Sequence, residues 1–104
     1  MPAIHFVERL GNYHCVDSIS NEWESGHWVV AEDTAQRLVN GMGQIYLHDA
    51  QNEPSRFGGD ILSFRVHRGG NLDGRLIFRF KPTPQCKNVR TNRNGWGNEK
   101  KIVW

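Results

Sequence analysis

The stretch DILSFRVHRGGNLDGRLIFRFK, residues 60–81, decides how this chain folds. Leu62, Phe64 and Val66 alternate with Ser63, Arg65 and His67. After the turn-forming Gly69-Gly70-Asn71-Leu72-Asp73-Gly74, Leu76, Phe78 and Phe80 alternate with Arg75, Ile77, Arg79 and Lys81. Successive side chains of a strand point to opposite faces, so two period-two runs joined by a glycine-rich turn predict a β-hairpin with one apolar face. Leu62, Phe64, Val66, Leu76, Phe78 and Phe80 are therefore the expected core, with Trp28 and Leu38 against them. The opposite face collects Arg65, His67, Arg75, Arg79 and Lys81. Like charges side by side on neighbouring strands destabilise a sheet, so this face needs an anion or an internal acidic partner.

Working outward, His27–Val30 is a short β-prone run. Residues 31–40 then read as a helix, with Glu32 and Asp33 at its start and Arg37 late, as the helix dipole favours. Ala35, Leu38 and Val39 share its inner face, and Asn40-Gly41 supplies a stop in the left-handed conformation. A second β-prone run spans Gln44–His48. Residues 4–19 offer one or two more strands, and residues 101–104 a last short one. The expected fold is α+β: a mostly antiparallel sheet, or partial barrel, with one short helix over about residues 31–40. At 104 residues and 38% apolar content the chain can fill one core, so 1–104 is read as a single domain, acidic in its N-terminal half and basic in its C-terminal half.

The order strand, helix, strand, Gly58-Gly59-Asp60-Ile61 lead-in, strand, turn, strand over residues 27–81 resembles the PUA-like group of small barrels, which includes the EVE and ASCH domains. That resemblance implies recognition of RNA, or of a modified or flipped nucleobase, in a cleft between the sheet and its loops.

Charge is sorted along the chain. Residues 1–55 hold eight of the eleven acids and only Arg9 and Arg37 among the bases, whereas residues 56–104 hold eleven of the thirteen bases. A split this strong within a net charge of +2 suggests a face that meets an anion, or two surfaces with different partners. Cations for phosphates and flat rings for bases are what nucleic acid requires. Arg65, His67, Arg75, Arg79 and Lys81 on the hairpin, with Arg90, Arg93 and Trp96 in the basic segment 87–101, make nucleic acid or a nucleotide the leading partner. Trp96 follows Arg93-Asn94-Gly95; it either stands at a loop tip to stack on a base or docks as an anchor.

Two other classes stay open. A protein-binding inhibitor, of the kind phages encode, would use the acids Glu22, Glu24, Glu32 and Asp33 around Trp23 and Trp28 to cover a basic site on its target. A phosphodiester-cleaving enzyme would pair His27 with His48 as acid and base, with Arg65 or Lys81 to stabilise the transition state; whether the chain is an enzyme stays open, with catalysis the less favoured alternative. His14 and Cys15 are adjacent and point to opposite faces of a strand, and no Cys-x-x-Cys or His-x-x-x-His spacing occurs, so no metal and no cofactor are expected. No phosphate-binding glycine motif or nucleophile elbow is present. Cys15 and Cys86 read as reduced thiols, no apolar run reaches the roughly 18 residues of a membrane span, and the expected location is cytoplasmic.

Overall fold

The computed structural model describes residues 1–104. The chain runs β1 (Ala3–Val7), β2 (Tyr13–Asp17), β3 (Glu22–Trp28), α1 (Glu32–Asn40), β4 (Gln44–His48), β5 (Ser55–Val66), β6 (Leu76–Pro82) and β7 (Lys100–Val103), with single 3-10 turns at Gly70–Leu72 and Pro84–Cys86. All seven strands form one sheet in the order β2-β3-β6-β5-β4-β1-β7. Every neighbouring pair is antiparallel except β1 with β4, which the helix makes parallel by carrying the chain across before β4 begins. The architecture is α+β, a partial barrel with one helix, and no helix is long and apolar enough to cross a membrane.

The curl follows from one ring pair. Four strand steps separate β3 from β1, which would place them about 19 Å apart in a flat sheet. Yet Phe6 on β1 stacks on Trp28 of β3 with ring centroids 4.0 Å apart and planes 10° from parallel. The sheet must therefore fold over. The twelve-residue β5 pairs with β4 through its first half and with β6 through its second, and at the change-over Gly58 and Gly59 sit where neighbouring strands come too close for side chains. A Cβ on Gly58 would run into the Ile45 carbonyl oxygen, and one on Gly59 into that of Lys81. The fold-over encloses Ile4 and Phe6 from β1, Trp28 from β3, Ile45 and Leu47 from β4, and Leu76, Phe78 and Phe80 from β6, while α1 closes the side with Ala35 and Leu38.

The predicted hairpin forms, with one correction inside it. Leu76, Phe78 and Phe80 are fully buried, and Phe64 and Val66 pack partly buried against them, but Leu62 is exposed. The register shifts between Ile61 and Ser63, so that Ile61 faces Phe80 and Ser63 faces Arg79. Leu62 is the extra residue of a β-bulge and Ile61 takes its place in the core; strict alternation cannot show an inserted residue. A smaller difference ends the helix: Gly41 has φ −87°, and Met42, at φ +53°, carries the left-handed turn instead.

Phe78 lies at 0% exposure in contact with the Phe6 ring, so Phe78→Ala should cost about 3–5 kcal/mol. Urea denaturation of the variant measures it; an unchanged midpoint would contradict the placement of this hairpin face in the core.

Candidate functional site

The hairpin bases split into two groups. Arg65 on β5 holds Glu24 of β3 in a two-point contact, Nε to Oε2 at 3.1 Å and Nη2 to Oε1 at 3.0 Å. Arg79 on β6 donates to Glu22 at 2.6 Å. Both partners lie on β3, which the sheet order sets beside β6. Glu24 is only 8% exposed, and the hydrogen bonds from Arg65 hold its carboxyl below the usual carboxylate range despite that burial. The sorted charges of the sequence thus meet each other across the sheet. Lys81 stays exposed opposite Asp60 in register. The acidic surface expected of a protein-binding inhibitor loses Glu22 and Glu24 to these pairs, leaving Glu32 and Asp33 on the first turn of α1.

Arg75 belongs to the second group. It is half-buried, and its guanidinium has no acceptor in the protein. It lines an open cleft of about 980 Å³ between the two halves of the folded-over sheet. The walls come from the end of β1 and the loop after it, the end of β3, residues 50–52 after β4, the hairpin turn, and the segment carrying Arg93, Asn98 and Glu99. His27 projects into the same space, and the buried Trp28, stacked on Phe6, forms part of its floor. Four carboxamides line the cleft as well: Gln51, which donates to the Gly97 and Asn98 carbonyls, and Asn12, Asn52 and Asn98, whose side chains have no protein partner. Arg9, Arg75 and Arg93 outnumber the carboxylates Glu8 and Glu99, leaving the cleft one net positive charge.

The two histidines proposed as an acid and base pair do not meet. His27 stands edge-on to His67 with ring centroids 4.4 Å apart, too close for a phosphodiester to sit between those two rings. Burial, then the charges of His67, Arg65 and Arg75, keep His27 below the usual imidazole value. His48 is fully buried on β4, and its Nε2 lies 2.9 Å from Nδ1 of His5 on β1. Its Nδ1 lies 2.8 Å from the Glu53 carbonyl, which can only accept, so Nδ1 of His48 carries the proton and Nε2 accepts from His5. Burial first, then the charges of His48 and Lys101, pull His5 down to about 4. This pair is a neutral core strut.

Trp96 docks on that strut instead of standing at a loop tip. Its ring is edge-on to His48 at 5.6 Å and to His5 at 6.3 Å. Gly95, at φ +88°, turns the chain back over the Lys101 stem, and Lys101 in turn donates to the Asn92 carbonyl and side chain. Arg90 reaches the Asn52 carbonyl at 3.2 Å, whereas the Arg93 side chain has no protein partner and faces the cleft. The basic segment is thus anchored at Trp96 and presents Arg93. Sequence reasoning missed Glu8, Arg9, Asn12, Asn52 and Asn98; Gly11, whose φ is +70°, was the one local sign of a shaped turn near the first two. Comparisons with known protein families, with curated proteins and with solved structures find no match.

Arg65→Ala would leave Glu24 buried without its donors and should cost about 1–3 kcal/mol, whereas Arg75→Ala, which breaks no protein hydrogen bond or ion pair, should change stability little. Equal urea midpoints for the two variants would contradict the ion-pair assignment. A second expectation concerns acid. The unfolded chain protonates His5 near its ordinary 6.5, while the folded protein resists until about 4, so stability is full above pH 6.5 and falls as pH drops toward 4. His5→Gln, which keeps a donor for His48, should lose less stability than the wild type between pH 7 and pH 5; equal losses would refute this coupling.

Proposed function

We propose that the protein is a small nucleic-acid or nucleotide recognition module that takes its ligand into the cleft lined by Arg75, Arg93 and His27. The observation that carries this reading is Arg75: a half-buried guanidinium, five donors and no acceptor, in a concave site of nucleotide size. A planar guanidinium binds phosphate oxygens at two points, and Arg93 across the cleft adds a second cation for the same or the next phosphate. Neutral His27 and the free carboxamides of Asn12, Asn52 and Asn98 supply donors and acceptors suited to a base or sugar. The PUA-like resemblance implies a ligand in a cleft of this kind. Within this reading Arg65 and Arg79 are structural, because their charges are already matched by Glu24 and Glu22.

Fluorescence anisotropy with labelled single-stranded RNA and DNA tests it. Binding should tighten at low salt, and Arg75→Ala and Arg93→Ala should each weaken it and make the salt dependence shallower by about one unit per lost phosphate contact. If the wild type binds no oligonucleotide or nucleotide at low salt, the reading fails and a protein partner becomes the leading one.

A further inference from the structure

Glu8 has more acceptor capacity than its fold needs. It follows β1 directly, is 2% exposed, and lines the cleft. Its position is fixed at four points: its amide donates to the His48 carbonyl at 2.8 Å, its carbonyl accepts from Arg56 at 2.8 Å, and Oε1 accepts from the amides of Leu10 and Gly11 at 2.7 and 2.8 Å. Oε1 alone shapes the turn. No protein donor reaches Oε2, and no cationic side chain pairs with the carboxylate, since Arg56 touches only the backbone here and pairs instead with Asp49. Oε2 is therefore an accepting oxygen at the surface of the cleft, beyond what the turn uses. A glutamine would hold the turn equally well through its carbonyl oxygen, without the charge.

We propose that Glu8 reads the base: its free Oε2 accepts a hydrogen bond from an exocyclic amino group, so the cleft prefers adenine, cytosine or guanine to uracil or thymine. The proposal rests on the nucleic-acid reading above. A carboxylate repels phosphates, so the part of a nucleotide that approaches Glu8 must be a donor, while Arg75 and Arg93 take the anionic end. Among bases, cytosine N4, adenine N6 and guanine N2 present free-standing N–H groups, whereas the N3–H of uracil lies between two carbonyl oxygens that oppose a carboxylate. Because Oε1 is spent on Leu10 and Gly11, only one oxygen is open to the ligand, which points to a single amino contact instead of a two-oxygen grip. The fixed backbone makes the group rigid, as discrimination requires.

The test compares short cytidine and uridine oligoribonucleotides, which share sugar, charge and length. The wild type should bind the cytidine oligomer about tenfold tighter, the scale of one charge-assisted hydrogen bond gained against one unmet. Glu8→Gln keeps an acceptor for the turn and puts a donor where Oε2 was, so the preference should vanish or reverse toward uridine, with an unchanged melting temperature. Glu32→Gln, an exposed carboxylate on the first turn of α1 outside the cleft, should keep the cytidine preference. Three results would overturn the proposal: equal wild-type affinity for both oligomers, a preference that survives in Glu8→Gln, or an equal loss for both, which would mark a ribose contact. The first needs no variant, so a Glu8→Gln protein that fails to fold leaves the proposal exposed to refutation. Absence of binding to either oligomer would overturn the nucleic-acid reading itself, a result distinct from binding without preference.

Discussion

The folding-over of a single sheet governs everything else in this molecule. A flat seven-stranded sheet with one short helix would leave most of one face in water, because α1 covers it only through Ala35 and Leu38. Closing β1 onto β3 lets the sheet serve as its own second layer, and the Phe6 and Trp28 rings mark where the layers touch. The geometry is permitted by the two glycines of β5 and the bulge at Leu62, since the first removes side chains from the change-over and the second increases the local twist. The cleft is the other product of the same closure. Where the layers part beyond Trp28, the loops following β1 and β4 face the hairpin turn, and the polar groups of all three look into one space.

Charge plays two roles that look alike in sequence. Arg65 and Arg79 sit at alternate positions of neighbouring strands, as a binding surface would have them, yet their field is consumed by Glu24 and Glu22. Arg75, which just precedes β6, lines the cleft with Gly26 and His27 of β3 and has no glutamate to pair with. The difference between a structural and an available arginine therefore lies in the residues of a strand some fifty positions away. Ion pairs of this exposure contribute modestly to stability, but they set which cations remain for a ligand.

Much of the fold was legible. The alternation in residues 60–81 located β5 and β6, the acidic start and late Arg37 located α1, and the β-prone run at Gln44–His48 is β4. Those signals are local, and local signals survive in sequence. The bulge at Leu62, the ion pairs to β3 and the His5–His48 strut are all consequences of which strand lies beside which, and nothing in the period of a strand names its neighbour. The cleft was half legible for the same reason. Arg75, Arg93 and His27 drew notice as charged or titratable side chains in suggestive segments, whereas Glu8 looks like any surface glutamate until its amide partners are known.

The pairing of β1 with β7 has a kinetic side. These strands join Ala3 to Val103 and Phe6 to Lys100, so a pairing at one end of the sheet closes a chain loop of nearly the entire sequence. Such long-range pairing is entropically slow, and until it forms β1 keeps one edge unsatisfied and open to other strands. Asn98 and Glu99, which wall the cleft, arrive with that last strand, and the amide of Val7 has its acceptor only then, in the Glu99 carbonyl at 2.8 Å. The cleft is accordingly completed late: a chain in which β1 and β7 have not yet paired can own a core and still lack this wall.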